Sequence, residues 1–232
     1  MVFNLSQWRD HIEQQGFAVI QGVLRRSEVR TLRLDLSDLY RRPSRAGIRH
    51  ILSHSAINSV ANDARVLGIA QSILGENAFP FRATLFNKSP DSNWLIAWHQ
   101  DTALPLIEKH ETPGWGPWSV KEGIVYAHAP AGALEQVLAL RLHLDDCTAD
   151  NGPLRVLAVT DRLGVLSDKD VERQVGKRKS IECPIARGGV LVMRPLLIHA
   201  SSKSLSALPR RVLHIEYAAS VRVGDGLQLA MA

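Results

Sequence analysis

Val137–Asp146 reads VLALRLHLDD, and the rest of the chain is best read outward from it. Leu138, Leu140, Leu142 and Leu144 alternate with Ala139, Arg141, His143 and Asp145. Successive side chains on a strand point to opposite faces, so this period of two predicts a strand with one leucine face. Similar short runs surround it: FPFRATLFNKS (79–89), WLIAWHQD (94–101), SIECPI (180–185), GGVLVMRP (188–195) and RRVLHIEYAA (210–219). Gly, Pro, Asn or Asp clusters separate many of them. Strands without regular intervening helices predict an antiparallel sandwich or jelly roll rather than a doubly wound α/β fold.

Before residue 78 the texture is helical. Asn4 or Ser6 is positioned to cap a helix that runs to about Gln15 and ends at Gly16. Phe17–Val23 is apolar and β-prone. From Ser27, Val29, Leu32, Leu36 and Leu39 recur at spacings of three and four, the pattern of an amphipathic helix. A further helix is expected from about Asp63 to Leu74, before Gly75. No repeat, low-complexity tract or linker interrupts the chain. One domain over 1–232 is therefore expected, with residues 1–75 a mostly helical flank and 79–220 the β core. Thr102 to about Val125 has no assigned structure and carries Trp115 and Trp118 among glycines and prolines. A segment this long is either a lid or binding loop, or a surface insertion whose aromatics pack locally.

Composition narrows the functional classes. The chain has 232 residues, 45% hydrophobic and 22% charged, which suits a globular protein able to bury a core without disulfides or structural zinc. Its net charge of +5 is mild, and the arginines form no basic stripe, so nucleic acid is not an expected partner, whereas an anionic small molecule is permitted. Cys147 and Cys183 belong to no CxxC pair and are expected as buried, reduced thiols. The opening segment carries Asp10 and Glu13 and no long apolar stretch, against a secretory signal. No run of about 18 apolar residues occurs, so no membrane span is expected and a cytoplasmic location is the default.

WHQDT (98–102) carries the chemistry. On a strand His99 and Asp101 share a face. Alone, such a pair is more often a structural ion pair. His199 sharpens it, at the end of GGVLVMRPLLIHAS, read as one strand before a serine-rich turn. Two imidazoles and a carboxylate on neighbouring strands can occupy one face of an octahedral metal, the arrangement of non-haem Fe(II) oxygenases. Arg210 opens the next strand. If the chain turns at SKSLSALP (202–209), that strand returns beside the one ending at His199, and the Arg210 guanidinium reaches the same cavity as a fork suited to a carboxylate. Alternation groups Arg210, Val212, His214 and Glu216 on one face.

These residues resemble the phytanoyl-CoA dioxygenase family of Fe(II)- and 2-oxoglutarate-dependent oxygenases. The likeness lies in His99-x-Asp101, His199 and Arg210, and in LHLDDCTADNGPLRVLAVTDR (142–162) with its Asn151-Gly152-Pro153-Leu154. GGVLVMRPLLIHAS and the opening GFAVIQGVLRRSEVRTL (16–32) add to it. It covers nearly the whole chain. One departure is Ala158-Val159-Thr160-Asp161, where the family often has Pro-Gly-Ser-His. The resemblance implies a mainly β fold, a double-stranded β-helix (jelly roll, cupin-like) with N-terminal helices packed outside. It also implies Fe(II) held by His99, Asp101 and His199, and 2-oxoglutarate as cosubstrate with its distal carboxylate on Arg210. Dioxygen and a small organic molecule would be the other reactants. With Asp101 present, hydroxylation or another oxidation is implied rather than halogenation. The alternative is a non-catalytic metal- or ligand-binding jelly roll.

Other side chains carry weaker expectations. Lys88 shares a strand face with Arg82, and either could support the cosubstrate or substrate; Asn87 is ambiguous. His143 is expected in the core or the cavity wall, and His214 beside Arg210 in the lining. Ser201 could bond the cosubstrate or, with Ser202, form the turn; the turn is the preferred reading. Trp98 should point away from the metal. His50, His54, His110 and His128 show no interpretable spacing.

Overall fold

A computed structural model describes residues 5–41, 47–90 and 92–232. The candidate cap Asn4 and the side chain of Ser6 lie outside the described residues. The N-terminal flank comprises α1 (Leu5–Gln15), β1 (Phe17–Ile20), α2 (Arg26–Asp35), α3 (Ser37–Tyr40), α4 (Ser55–Ala61) and α5 (Ala64–Leu74). Gly16, at φ 81, ends α1 in a conformation that glycine adopts without strain. Asp63 caps α5 by accepting from Arg65 N at 2.9 Å. The expected long helix from Ser27 starts at Arg26 and breaks at Leu36, yet Val29, Leu32, Leu36 and Leu39 all remain buried on one side. The strand from Phe17 stops at Ile20, and the short α4 was not foreseen.

The β core follows as β2 (Phe79–Lys88), β3 (Ile96–His99), β4 (Ala103–Leu106), β5 (Trp118–Lys121), β6 (Ile124–His128), β7 (Val137–His143), β8 (Leu154–Val156), β9 (Ile181–Cys183), β10 (Val190–Met193), β11 (His199–Ser201) and β12 (Arg210–Ala218). Two short helices, α6 (Ala131–Leu134) and α7 (Asp168–Lys177), lie between strands. The major sheet has the order β1-β10-β7-β12-β2, and the minor sheet β3-β11-β8-β9. All pairings are antiparallel. Side chains of both sheets line one cavity, so the sheets face each other as the expected double-stranded β-helix.

The alternation in β7 separates two environments. Leu138, Leu140, Leu142 and Leu144 join Leu213, Ile215 and Tyr217 of β12 and Ala83 and Leu85 of β2 in a core shared with α1, α2, α4 and α5. The helical flank is therefore the outer cover of the major sheet. Burial of a leucine-sized side chain stabilises by about 1.5–3 kcal/mol, so this layer supplies much of the hydrophobic driving force. The other face carries Arg141 and His143 on β7, Arg210, His214 and Glu216 on β12, and Arg82 and Lys88 on β2. Register sets Arg210 against Lys88, His214 against Arg141 and Glu216 against Arg82. Leu191, Met193, Leu154, Val156, Cys183 and Leu197 close one end of the inner space with apolar side chains. Cys147 and Cys183 are free and buried, and burial pushes the Cys183 thiol up to about 12.

Three expectations about the chain path need correction. GGVLVMRPLLIHAS is two strands in two sheets. Pro195, a turn from Leu197 N to Arg194 O (3.1 Å) and a bond from Arg194 N to Gly16 O (2.9 Å) break the run and carry the chain from β10 to β11. Residues 190–193 and 196–200 are all buried, so uniform apolarity conceals the break. β12 does not lie beside β11. The 202–209 connection crosses to the major sheet, where β12 pairs with β2 and β7, so Arg210 approaches from the opposite sheet. Lastly, 102–125 is no loose loop: β4, β6 and β5 form a third sheet. Trp115 is buried there with Leu104, Leu106, Leu227 and Leu229, and its indole donates to Asp225 Oδ2 at 3.0 Å. Among the described residues no helix is long and apolar enough to cross a membrane.

Candidate metal centre

β3 and β11 pair antiparallel with His99 opposite His199. Their rings lie 4.2 Å apart, centroid to centroid. Asp101, two residues beyond His99 where β3 has ended, turns back between them. His99 Nε2 lies 3.6 Å from one carboxylate oxygen and His199 Nε2 3.5 Å from the other. One ligand atom from each residue falls within 4.8 Å of the others. Metal–ligand bonds of about 2 Å put neighbouring ligands about 3 Å apart, so a slight contraction suffices to seat an ion. Each ring donates from Nδ1 to the backbone carbonyl two residues upstream, His99 to Ala97 O (2.8 Å) and His199 to Leu197 O (2.9 Å). That tautomer leaves both Nε2 lone pairs facing Asp101, the orientation a metal-binding imidazole needs.

His199 and Asp101 hold the protonation states that this donor set needs. Burial lowers His199 to about 4, so it is neutral near pH 7. Burial would lower His99 too, but the bond to Asp101 outweighs it and the net shift is upward. Burial would raise Asp101, yet His199 and His99 hold it well below the usual carboxylate range, so it is ionised. Two imidazoles and one carboxylate form a borderline-hard set suited to a first-row divalent ion.

Gln100 fixes the motif. Its side chain donates to Gly164 O (2.9 Å) and Leu196 O (2.7 Å) and accepts from Leu166 N (2.8 Å), while Asp101 N donates to Pro195 O (2.9 Å). Trp98 points to the other side, against Leu157, Val171 and Ile198, with the Arg155 guanidinium 5.1 Å from its ring.

The triad opens into a cavity of about 280 Å³. This is near the small end for ligand pockets. The facing wall comes from the major sheet: Thr84, Phe86, Arg141, His214, and the ion pair of Arg82 with Glu216. Arg141 Nη1 donates to His214 Nδ1 at 3.1 Å, which leaves His214 Nε2 directed at Glu216, 3.6 Å away. The third sheet supplies Ala103, Lys121, Tyr126 and His128, and Arg49 adds a further cation. His50 bonds the Tyr126 hydroxyl at 2.8 Å. The sequence alone assigns no role to Gln100, Arg141, Tyr126, Lys121 or His128. Only Arg141 left a signal, as a charge on a strand whose other face is all leucine.

Of the remaining expected residues, His214 is on the cavity wall, whereas Lys88, Ser201, Arg210 and His143 are all buried but do not line the cavity itself. Lys88 Nζ donates to Ser201 Oγ (2.9 Å) and Ser202 O (2.6 Å), and Arg210 Nη2 reaches Ser201 Oγ at 3.4 Å. Ser201 is thus the hub of a polar corner on β11 rather than part of a turn. The Asn-Gly-Pro segment shapes this corner. Asn151 O accepts from Arg210 Nε (3.0 Å), and Gly152 O accepts from Ser201 Oγ (2.9 Å). Gly152 has φ 70, and a Cβ there would stand 2.4 Å from Ser202 O. Among the described residues neither Lys88 nor Arg210 has a carboxylate partner. Burial, with Arg210 and Arg141 nearby, lowers Lys88 to about 8, and burial lowers Arg210. His143 beside them is held well below its ordinary value by burial and by Arg210 and Arg141. Buried cations without an anion are costly, and an anionic group beside Lys88 and Arg210 would offset that cost.

The chain is 25% identical to the ectoine dioxygenase of Halomonas elongata over 87% of its own length, and the match spans 66% of that longer protein. Among solved structures, the epimerase SnoN in complex with Fe3+, alpha ketoglutarate and nogalamycin RO matches with a TM-score of 0.72 and 15% identity, over 98% of this chain and 95% of that one. EctD from S. alaskensis with 2-oxoglutarate and 5-hydroxyectoine matches with a TM-score of 0.70 and 17% identity, over 92% of this chain and 75% of that one. The profile of the phytanoyl-CoA dioxygenase (PhyH) family matches residues 12–212, and the chain belongs to that family.

Proposed function

We propose that this protein is an Fe(II)- and 2-oxoglutarate-dependent oxygenase that hydroxylates a small organic molecule. The observation that carries the reading is the convergence of two imidazole Nε2 atoms and one carboxylate on one point. A buried, carboxylate-free pair of cations nearby supports it. His99, Asp101 and His199 would hold the iron. Lys88, Ser201 and Arg210 would hold the distal carboxylate of 2-oxoglutarate. When bound, Fe(II) and the keto acid together couple decarboxylation to succinate with oxidation of the substrate by dioxygen. The chain's own work is positioning. The Nδ1 bonds fix the two imidazoles, Gln100 fixes Asp101, and the Asn151–Gly152 carbonyls aim Arg210 and Ser201. The polar wall of Arg141, His214 and Glu216 orients the substrate, and apolar packing at the closed end excludes water.

Anaerobic addition of Fe(II) and then 2-oxoglutarate tests this. A weak visible charge-transfer band is expected, followed by succinate release once oxygen is admitted. Both should vanish in His99→Ala. A folded wild-type protein that gives no band and no succinate would overturn the reading.

A further inference from the structure

Arg141 stands in the cavity with no anion of its own. Its side chain is buried, 5% exposed. It forms no ion pair among the described residues. Its one hydrogen bond goes to His214 Nδ1, its Nε has no partner, and its guanidinium rests 5.1 Å from the Phe86 ring centroid. The other cations near it are already engaged or repel it. Arg82 is taken by Glu216. Arg210 lies close enough to lower Arg141 to about 10, after burial itself. At the mouth, Lys121 lies 4.7 Å from the Tyr126 ring centroid, and Arg49 and Arg82 add to burial in lowering it. Within the oxygenase reading, Asp101 belongs to the metal, and the cosubstrate's distal carboxylate belongs to Lys88 and Arg210. The cavity then stays net positive even when loaded, since Arg141 and Lys121 remain without an ion pair among the described residues and Arg49 is held only at 4.0 Å by the exposed Glu122.

A buried guanidinium with the Asp101 and Glu216 carboxylates beyond ion-pair distance is held unfavourably. It is retained where a ligand completes it. The planar fork suits a carboxylate or phosphate bound through two parallel hydrogen bonds. His214 fixes one arm of the fork, and Phe86 fixes its plane. From this we infer that the substrate is a small organic oxoanion whose charged group docks on Arg141 beside the metal triad, with Arg49 and Lys121 drawing it in at the mouth. The inference rests on the oxygenase reading for the location of the metal and cosubstrate.

The test uses the full chain with Fe(II) and 2-oxoglutarate under argon. The band formed by the cosubstrate is recorded first, so failure of the oxygenase reading is seen before any substrate is added. A panel of carboxylic acids from propionate to octanoate, amino and hydroxy acids included, is then titrated, each beside its primary amide. Glycerol phosphate and glucose 6-phosphate are run beside glycerol and glucose. Binding is followed by perturbation of the band and by the thermal midpoint. The wild type should prefer at least one oxoanion over its neutral counterpart by about tenfold or more. Arg141→Gln should erase that preference while 2-oxoglutarate affinity stays within about threefold, and Arg210→Gln should weaken 2-oxoglutarate instead. Arg141→Lys keeps the charge, loses the fork and should fall between, which gives a second reading if Arg141→Gln does not fold. A wild type that prefers no oxoanion overturns the inference. So does an Arg141 variant that weakens 2-oxoglutarate as much as Arg210→Gln does, for then Arg141 serves the cosubstrate.

Discussion

His99 and His199 are register partners across the β3–β11 ladder, and their Nε2 atoms stand 3.6 and 3.5 Å from the two oxygens of a single carboxylate, Asp101. Their Nδ1 atoms are tied to backbone carbonyls, so neither ring is free to flip. Removal of either Nε2 leaves two donors. His199→Ala is expected to lower Mn(II) or Fe(II) affinity by more than about 100-fold, given that even outer supports of a metal site cost 10–100-fold. Isothermal titration with Mn(II) checks it, and unchanged affinity would remove His199 from the ligand set.

Gln100 sits between the two ligands and makes three hydrogen bonds through one carboxamide, one buried and two part-buried. Gln100→Leu keeps the volume and strands two carbonyls and one N–H. Each unsatisfied group costs about 1–3 kcal/mol, and partial relaxation should leave a net loss of about 2–4 kcal/mol. Denaturant unfolding measures the loss. Because Asp101 follows directly, metal affinity should fall as well, by about tenfold.

Gly152 is where the Asn-Gly-Pro segment touches the anion corner. Gly152→Ala adds a methyl 2.4 Å from Ser202 O and 3.3 Å from Lys88 Nζ, at a φ of 70. The left-handed backbone costs about 1–2 kcal/mol and the overlap about 1–3 more. The variant should be less stable by about 2–5 kcal/mol. The displaced Ser202 and Lys88 should also raise the KM for 2-oxoglutarate more than they lower kcat. A KM left at the wild-type value would show that this corner does not hold the cosubstrate.

Periodicity made the β7, β2 and β12 strands legible, because each has one face buried against helices and the other turned inward. The alternation of Arg210, Val212, His214 and Glu216 was readable for the same reason. The crossing from β10 to β11 was not, since both strands are buried and carry no period. The third sheet was hidden differently. Its strands are four or five residues long, and the Gly and Pro residues between β4 and β5 read as loop punctuation. The metal ligands stood out through their chemistry. Gln100 and Arg141 did not, because what they do depends on partners distant along the chain: Gly164 and Leu196 for one, His214 for the other.

Val159 has φ 67, in the left-handed region where a β-branched side chain is strained. It occupies the second position of Ala158-Val159-Thr160-Asp161, and its N–H still donates to Gln15 O at 3.0 Å. Its side chain is only half-buried, so little packing is lost on truncation. Val159→Gly should relieve about 1 kcal/mol and raise Tm by about 2–4 °C for a chain of this size. Calorimetry decides it, and a lowered Tm would mean that the side chain packs more than it strains.

Lys88 gives a pH dependence whose sign follows from its surroundings. Burial and the neighbouring Arg210 and Arg141 lower it from 10.5 to about 8. Between those two values the unfolded chain binds more protons than the folded one. The free protein should therefore gain stability as pH rises through about 8. Anion binding runs the other way. A bound carboxylate favours the charged ammonium, while both carboxylates of 2-oxoglutarate are fully ionised throughout this range. Affinity for 2-oxoglutarate should hold steady up to about pH 8 and then fall, by at most about tenfold per pH unit. Lys88→Arg, which stays charged, should flatten that fall, and Lys88→Met should weaken binding at every pH. Anaerobic titration of the Fe(II) protein from about pH 7 to 9.5 separates these cases. A wild-type profile as flat as that of Lys88→Arg would show that the ammonium does not contact the cosubstrate.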